Sequence, residues 1–366
     1  MNGSTVDIEY FSRQMALPSL GLKGQEILAE AKILIIGMGA LGNPLAQSLV
    51  LGGINHLTIM DKDLVEYSNL HRQSLFTSED CGTSKVMAAK NQLIKLRSSI
   101  FVQTLDRHFV GSNADKELVE KHDLILDATD LFSSKFLIHD ICLQASKPLI
   151  SAAVTGFLGQ LHYFSFHLGA PQCWRCLYPS PPKDGCTGSC GQDGILGGAS
   201  SVMGHLQAVQ AIGFLLKTPM AEPFTTYQIQ LLRMTIEKFG WDKNLKCQFH
   251  LQDEVRVQPA QPEIEVQSQK IMLSEPLILK PYTIIDLRNP WEISEMDRQF
   301  FPSATNVPLP QFLGDLEKWP LDQRYLLLCE FGNKSQTAVY QMTNSGYSWV
   351  NHLEGGFAGL RSKIHS

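Results

Sequence analysis

Short apolar runs alternate along this chain with glycine-containing and polar segments. The run at 33–36 is rich in β-branched residues and too short for a helix, so it predicts a buried parallel strand. A helix is predicted over 43–52, with Pro44 tolerated in its first turn, and a second strand over 57–60. This succession predicts a β-α-β unit around which the first part of the chain is organised.

The same patterns predict alternating helices and strands further along. Alternation at 161–166, after a strand at 148–154, indicates an antiparallel pair, so the sheet is expected to be mixed. The other predicted elements are a helical arm at 9–31, helices at 79–94, 136–144, 201–216 and 336–345, and strands at 102–105, 124–126, 226–236, 283–288 and 324–328.

A glycine motif separates the first strand from the first helix. Gly37, Gly39 and Gly42 form G-x-G-x-x-G, which lets the backbone turn tightly and approach a phosphate beside the donors of a helix N-terminus. Asp61 ends the second strand 19 residues after Gly42, near the spacing of an acid that binds a ribose hydroxyl. The motif predicts a nucleotide site; the alternative is a tight turn whose glycines serve packing only.

The polar residues after Asp61 indicate which nucleotide is bound. Asp63, Asn69, Arg72 and Lys85 follow, and an NAD dehydrogenase needs no such cations after its ribose acid. A triphosphate does need them, because Arg72 and Lys85 can neutralise phosphate charge while Asn69 donates a hydrogen bond. For any one of these residues taken singly, a solvated polar loop is the simpler interpretation.

Together these motifs resemble the ThiF/MoeB/HesA family, relatives of the ubiquitin-activating enzymes, over roughly residues 7–250. The shared sequence motifs are R-Q near the start, G-x-G-x-x-G, D-x-D, S-N-L-x-R-Q and a later D-x-T-D that ends at Asp130. The resemblance implies that the chain binds ATP and magnesium, with Asp130 as the magnesium ligand. It also implies a homodimer in which Arg13 reaches the nucleotide of the partner subunit.

Two residues near these motifs have a simpler interpretation, and a third departs from the family pattern. Without the family, Arg13 would be interpreted as a surface arginine on a packing helix. Asp127 is interpreted as a turn or capping residue. Leu131 stands where the family often has an asparagine, so the resemblance supports no nucleotide contact from that position.

Composition and charge limit the class of protein. The chain has 366 residues, 44% hydrophobic and 18% charged, which suffices for two domains with ordinary cores. A formal net charge of −5 does not indicate a basic surface for binding nucleic acid. The N-terminus has no signal-peptide pattern and no run of about 18 apolar residues occurs, so we expect a cytoplasmic protein without a membrane span. In a reducing compartment the eight cysteines suit metal ligands or catalytic thiols better than disulfides.

Two pairs of possible metal ligands flank the end of the first domain. Cys173 and Cys176 form a C-x-x-C, and Cys247 and His250 form a C-x-x-H where the family usually has a second C-x-x-C. Structural zinc takes four ligands, so these residues predict a Cys₃His zinc site. A lost site with two free thiols is the alternative, and a redox C-x-x-C is disfavoured because the thioredoxin-like strand-to-helix context is lacking.

A glycine- and proline-rich stretch at 179–198 predicts a long loop that crosses the nucleotide site. Its S-C at Cys190, followed by G-I-L-G at 194–197, is similar to a family pattern whose cysteine takes part in transfer chemistry. The resemblance therefore implies that Cys190 is a transfer thiol, with Cys186 as the second candidate.

The composition changes at 254–275, where Gln, Pro and Glu predict a linker that is semi-rigid near its prolines. A second α/β pattern occupies 276–366, and its strand at 324–328 runs into Cys329 ahead of a helix. A thiol placed there is expected to lie in a ring of backbone N–H groups that favours the thiolate. The alternative is a strand-end cysteine of no consequence.

The order of motifs in this second domain resembles a rhodanese domain. The shared motifs are D-x-R-x-x-x-E from Asp286, A-x-N-x-P from Ala304, C-x-x-G-x-[RK]-S from Cys329 and L-x-G-G from Leu353. Lys334 stands where the active loop usually has arginine and keeps a cation there. The usual G-H-I before the alanine is replaced at 301–303, which can alter how the loop is braced.

The fold class is therefore expected to be α/β, with a Rossmann-like ATP-binding domain that has a mixed sheet and a smaller rhodanese-like domain. The resemblance implies an adenylyltransferase domain at 1–253, the linker at 254–275 and a sulfurtransferase domain at 276–366, as in molybdopterin-synthase sulfurylases. Such an enzyme adenylates the C-terminal glycine of a ubiquitin-like sulfur carrier ending in Gly-Gly. Sulfur carried by Cys329 as a persulfide then gives a thiocarboxylate.

The wider context also follows from the resemblance. A cysteine desulfurase is an expected sulfur donor, and molybdenum-cofactor biosynthesis, thiamine biosynthesis and tRNA thiolation are the expected pathways. Two alternatives stay open. One is an activator that forms a thioester without a sulfur product, and the other is a nucleotide-binding interaction module without catalysis.

Overall fold

The computed structural model describes residues 6–168, 172–178, 195–218, 222–241, 243–244, 247, 282–330, 332–353 and 355–364. These residues divide into two compact units, one that ends at 247 and one that begins at 282. The predicted linker lies outside the described residues, so its boundaries stay predictions. In the described part of the chain, no helix has the length and apolar character needed to cross a bilayer.

The first unit alternates helices with strands. Its helices are α1 (Ile8–Met15), α2 (Gly21–Glu30), α3 (Gly42–Leu51), α4 (Lys85–Leu96), α5 (Asn113–Glu120), α6 (Phe132–Gln144), α7 (Trp174–Leu177) and α8 (Gly197–Leu215). Its strands are β1 (Lys32–Ile36), β2 (His56–Met60), β3 (Phe101–Leu105), β4 (Leu124–Asp127), β5 (Leu149–Thr155), β6 (Leu158–Phe164), β7 (Thr225–Gln230) and β8 (Thr235–Gly240).

All eight strands join one sheet in the order β3-β2-β1-β4-β5-β6-β7-β8. The first five strands in this order are parallel, and β6, β7 and β8 add antiparallel pairs. The mixed sheet and the Rossmann-like order expected from the sequence are therefore confirmed.

Strand β1 is central because its apolar run can be covered on both faces. Ile33 and Ile35 pack on one face with α3 and α8, and Leu34 and Ile36 pack on the other with α6. Since β1 lies between β2 and β4, the strand order reverses direction beside it. In open α/β sheets such a reversal opens a crevice at the carboxyl ends of the strands, where ligands bind.

The second unit is a smaller α/β fold. Its elements are β9 (Tyr282–Asp286), α9 (Glu295–Phe300), β10 (Thr305–Asn306), α10 (Leu309–Gly314), β11 (Arg324–Leu328), α11 (Asn333–Asn344), β12 (Val350–His352) and α12 (Gly356–Ile364). The four strands form a parallel sheet in the order β10-β9-β11-β12. The buried strand β11 ends directly before Cys329, as the sequence predicted.

Some predicted helix limits were wrong. The helix predicted at 79–94 starts only at Lys85, because Gly82 adopts φ +81° and Ser84 is extended. The helix predicted from Phe136 starts earlier, at Phe132, and therefore includes Lys135. This second difference matters for the site, because it places the lysine ammonium under the end of β4.

Candidate functional site

The glycine loop follows β1 at the crevice. The Gly37 N–H donates to the Met60 carbonyl at 2.8 Å, and its φ of +98° is one that side chains rarely adopt. A Cβ at Gly37 would lie 2.8 Å from the Ala128 carbonyl, and one at Gly42 would lie 2.0 Å from the Gly37 oxygen. By contrast, a Cβ at Gly39 would have no neighbour within 4 Å. Packing thus explains two of the glycines, while Gly39 borders open space that a phosphate can approach.

Asp61 connects this loop to the end of β2. Its Oδ2 accepts the Met38 N–H at 2.7 Å, and its Oδ1 accepts the Asp63 N–H at 2.8 Å. Burial raises the pKa of Asp61, and the charge of Lys85 opposes that rise. Each carboxylate oxygen makes one of these bonds and keeps a lone pair, so the side chain can also accept a ribose hydroxyl.

Lys85 and Asp63 form one ion pair beside Asp61. The Lys85 Nζ lies 2.6 Å from the Asp63 Oδ2, and the lysine side chain is 8% exposed whereas that of Asp63 is 64% exposed. The structure thus brings these two predicted contacts together. A phosphate that binds Lys85 would have to share the ammonium with Asp63.

The S-N-L-x-R-Q segment packs against the start of α8. Asn69 is buried and accepts the Glu66 N–H at 3.3 Å, so its carbonyl braces the segment. The Arg72 guanidinium donates to the Ser68 carbonyl at 2.8 Å from one of its nitrogens. A Cβ at Gly197 would lie 2.5 Å from the carbonyl of His71, so the segment and α8 are in close contact. Arg72 is half-buried, and its guanidinium is held by the bond to Ser68 in its own segment.

Asp130 is exposed just beyond the end of β4, whereas Asp127 is fully buried. The Asp127 carboxylate accepts the Thr129 N–H at 2.9 Å, so its interpretation as a turn residue was right in part. That interpretation was incomplete, because Lys135 and Ser151 bind the same carboxylate at 3.0 Å and 2.6 Å. Sequence reasoning missed Lys135 because the predicted helix began one residue after it.

Arg13 lies in the last turn of α1 and its side chain is exposed. The arm itself is fixed to its own fold. Phe11 packs against Ala29, and the Gln14 Nε2 donates to the Gly52 carbonyl at 2.8 Å. The arm thus holds its arginine on the surface of this subunit.

The thiols of Cys173, Cys176 and Cys247 form a buried cluster. Their Sγ–Sγ distances are 3.7 Å between Cys173 and Cys176 and 3.8 Å between Cys173 and Cys247. Tetrahedral zinc with Zn–S bonds of about 2.3 Å separates its sulfurs by about 3.8 Å, so the three thiols fit that ion. Burial, followed by the neighbouring thiols, raises the pKa of Cys173, and a bound cation is what removes such a proton. The predicted fourth ligand, His250, lies outside the described residues.

Helix α7, which links the first two cysteines, is docked on α6 by polar contacts. The Trp174 N–H donates to the Nε2 of His139 at 3.0 Å, and the Arg175 guanidinium donates to Asp140 at 2.9 Å. His139 also stacks on the Trp174 ring. These contacts hold the two cysteines in place independently of any metal.

In the second unit, Cys329 is buried and surrounded by donors. Its Sγ accepts the N–H groups of Gly332 at 3.2 Å and Ser335 at 3.3 Å, and the Ser335 Oγ lies 3.3 Å away. Gly332 caps α11 with φ +90°. A Cβ at Gly356 would lie 2.4 Å from the Cys329 carbonyl, which explains the second glycine of the predicted L-x-G-G motif. Backbone donors aimed at a sulfur stabilise its anion, so this arrangement suits a nucleophilic thiol.

Charged groups brace this thiol-bearing loop. Lys334 lies 3.2 Å from both carboxylate oxygens of Glu292, and the buried Arg288 binds Asp297 at 2.8 Å and Glu330 at 2.9 Å. Burial alone would raise the pKa of Asp297, but hydrogen bonds from Arg288 and Arg361 hold it below its usual value. The cation predicted at 334 is present and is paired with a carboxylate. Cys190 and Cys186 lie outside the described residues, so their roles stay predictions.

Comparisons with known proteins match a family to each of the two units. The profile of the ThiF family matches residues 11–249, and that of the rhodanese-like domain matches residues 270–363. The protein named adenylyltransferase and sulfurtransferase MOCS3 of Drosophila sechellia is 32% identical over 98% of this chain and 84% of its own length. MOCS3-1 of Drosophila pseudoobscura pseudoobscura is 31% identical over 92% and 79% of the two chains. A sulfur carrier protein adenylyltransferase of Thermus thermophilus is 34% identical over 68% of this chain and 92% of its own.

Solved structures show the same fold for the first unit. E. coli MccB with ATP superposes with a TM-score of 0.57 at 22% identity, over 66% of this chain and 74% of that one. PaaA superposes with a TM-score of 0.56 at 21% identity, over 67% and 77%. At these identities the likeness supports the fold alone.

Proposed function

The chain belongs to the ThiF family and carries a rhodanese-like domain, and on that basis we propose that it activates a ubiquitin-like sulfur carrier. It uses ATP to adenylate the C-terminal glycine of the carrier and then transfers sulfur to give a thiocarboxylate. The observation that carries this proposal is the presence in one chain of a ThiF-type glycine loop with its cations and of Cys329 in a ring of donors. The named activities of the relatives are consistent with it.

In the first step the carrier carboxylate attacks the α-phosphorus of ATP. A bond forms between a carboxylate oxygen and that phosphorus, and the bond to the leaving pyrophosphate breaks. Lys85 pairs with Asp63 beside Asp61, whose carboxylate binds the glycine loop. Lys85 and Arg72 would stabilise the charge on the phosphates, while Asp61 would accept the ribose hydroxyl. The expected result is an acyl adenylate and free pyrophosphate.

Magnesium suits the exposed carboxylate of Asp130. This residue follows the end of β4 at the crevice, where Gly37 contacts the Ala128 carbonyl. Carboxylate and phosphate oxygens are the ligands that magnesium prefers, and the ion would offset charge on the phosphates. Asp130 would therefore anchor the metal and the glycine loop would hold the nucleotide.

In the second step the thiolate of Cys329 attacks the terminal sulfur of a persulfide donor and releases the donor thiolate, which leaves a persulfide on Cys329. Its outer sulfur then attacks the carrier carbonyl and expels AMP, which gives an acyl disulfide. A second thiol, for which Cys190 or Cys186 is the candidate, attacks the Cys329 sulfur. A disulfide forms and the thiocarboxylate leaves; an external thiol must then reduce that disulfide. A cysteine desulfurase in the reducing cytoplasm suits this need for a persulfide donor.

We expect Asp130→Ala to lower carrier-dependent pyrophosphate exchange by about 10²–10³ while ATP still binds weakly, since the loss of the carboxylate removes charge compensation at the phosphates. Exchange and ATP affinity should be measured on the same preparation. Exposed Asp106 lies next to the end of β3 at the sheet edge, so Asp106→Ala is the matched control. Near-normal exchange in Asp130→Ala would show that this residue has no metal role.

One zinc ion per chain is expected at Cys173, Cys176, Cys247 and His250. The double variant Cys173→Ser, Cys176→Ser should lose the metal and unfold at a lower temperature, because metal binding is coupled to folding. Elemental analysis and thermal unfolding measure both effects. Cys142→Ala, at a buried thiol outside the cluster, should keep its zinc. A metal-free wild type, or full zinc in the double variant, would contradict the site.

A homodimer with shared sites predicts complementation in trans. When Arg13→Ala and Asp130→Ala chains are co-expressed, half of the randomly assorted dimers contain one chain of each kind. Each mixed dimer has one intact site of its two, so the preparation should regain about a quarter of the wild-type exchange. Asp130→Ala mixed with Lys85→Ala is the control. Both of those residues belong to the same nucleotide fold, so no intact site can form. Equal outcomes for the two mixtures would refute the shared site.

Cys329→Ala should separate the two activities. Carrier-dependent pyrophosphate exchange should survive, whereas thiocarboxylate formation from thiosulfate or a persulfide donor, followed by mass spectrometry, should fall to background. Lys334→Ala should weaken donor use more mildly, because the backbone donors around the sulfur remain. Cys81→Ala, at an exposed thiol, is the control. If thiocarboxylate still forms at the normal rate with alanine at 329, the Cys329 thiol is not the group that delivers sulfur to the carrier protein.

A further inference from the structure

A buried ion pair lies directly behind the turn that carries Asp130. The Lys135 ammonium is 3.0 Å from the Asp127 Oδ2, and the two side chains are 6% and 0% exposed. The same ammonium donates to the Ala152 carbonyl at 2.7 Å and contacts the Ser151 hydroxyl at 3.4 Å. One lysine of α6 therefore joins the end of β4 to the middle of the neighbouring strand β5.

Packing alone does not explain this lysine. Ammonium groups are rarely buried unless paired, and a buried ion pair is weak support for a contribution to stability. Neighbouring residues on α6, such as Phe136 and Ile138, are apolar and belong to the core on that face of the sheet. A methionine could fill the same volume, so the charge calls for a role beyond filling space.

The ion pair fixes the geometry of the turn through Asp127. The other carboxylate oxygen of Asp127 accepts the Thr129 N–H at 2.9 Å and the Thr129 hydroxyl at 2.6 Å. Gln207, on α8, donates to the Asp127 carbonyl at 2.9 Å. Gly37 in turn lies against the Ala128 carbonyl. The turn from Asp127 to Asp130 is thus held by its carboxylate on one side and by the glycine loop on the other.

We propose that Lys135 is a positioning residue of the adenylation site, which presents Asp130 to the metal through the Asp127 carboxylate. This inference rests on the proposed function, in which Asp130 holds magnesium. Without the ammonium, the buried Asp127 carboxylate would lose its counter-ion and shift toward water. That shift would weaken the bonds to Thr129, so Asp130 would no longer be held at one place. Residues that orient a metal ligand in this way typically change metal affinity about 10–100-fold when they are mutated.

The decisive measurement is metal binding, which can be read without turnover. Mn²⁺ replaces Mg²⁺ as an electron-paramagnetic-resonance probe, and its affinity is titrated in the presence of a non-hydrolysable ATP analogue. Lys135→Met should weaken Mn²⁺ binding about 10–100-fold, and Lys135→Arg should restore much of it because the cation remains. The Mg²⁺ concentration for half-maximal pyrophosphate exchange should rise in parallel.

Lys147→Met is the matched control. Lys147 is also a part-buried lysine with a backbone partner, the His122 carbonyl at 2.9 Å, but it precedes β5 and so lies at the amino-terminal ends of the parallel strands. Its loss should leave Mn²⁺ affinity unchanged. Equal Mn²⁺ affinity in wild type and Lys135→Met, or an equal loss in Lys147→Met, would overturn the inference.

Two further results separate folding and functional failures. If Lys135→Met does not fold, Thr129→Val tests the inference instead, because it removes one hydrogen bond to Asp127 and keeps the ion pair. It should weaken Mn²⁺ binding less than Lys135→Met does, and an unchanged affinity would overturn the inference.

If Asp130→Ala itself leaves Mn²⁺ affinity unchanged, the magnesium role of Asp130 fails, and the positioning role falls with it. If Asp130→Ala loses the metal while Lys135→Met keeps it, only the inference about Lys135 is refuted.

Discussion

The nucleotide site depends on a close contact between two loops of the central sheet. The Ala128 carbonyl, just after β4, occupies the space that any side chain at position 37 would need, and the Gly37 oxygen blocks a side chain at position 42 in the same way. Because β1 and β4 are neighbours, this contact joins the glycine loop to the turn that ends at Asp130. The proposed phosphate-binding and metal-binding groups are thereby parts of one packed assembly.

The second unit uses the same physical arrangement around the thiol of Cys329. Strand β11 is buried and parallel to its neighbours, and the loop after it leads into α11. Gly356 allows the next turn to lie against the Cys329 carbonyl, and Gly332 turns the N–H groups of the loop toward the sulfur. In both units a chemically important group lies at the carboxyl end of a parallel strand, where helix N-termini supply oriented donors.

The sequence predicted the parts of these sites that follow from local pattern. Glycine spacing, the acid after β2 and the cysteine between β11 and a helix are each set by the conformation of a few consecutive residues. The contacts of Lys135 were not predictable in this way, because its partner Ser151 comes from a strand 16 residues later and Asp127 looked like an ordinary turn residue. The Asp63 contact with Lys85 spans 22 residues, and the Glu292 contact with Lys334 spans 42. Side-chain pairing over such separations depends on the assembled fold, which periodicity does not encode.

Three of these contacts pair a lysine ammonium with a carboxylate. Lys85 is held by Asp63, Lys135 by Asp127 and Lys334 by Glu292. The three pairs differ in how water reaches them, since Asp63 is largely exposed, Glu292 is partly exposed and Asp127 is fully buried. An exposed carboxylate can turn into solvent at little cost when a phosphate arrives, so Lys85 is available to an anionic ligand. A buried carboxylate has no such alternative, and its cation is therefore fixed in place. The degree of burial of the acidic partner thus distinguishes a lysine that can bind a nucleotide from one that can only hold the site in shape.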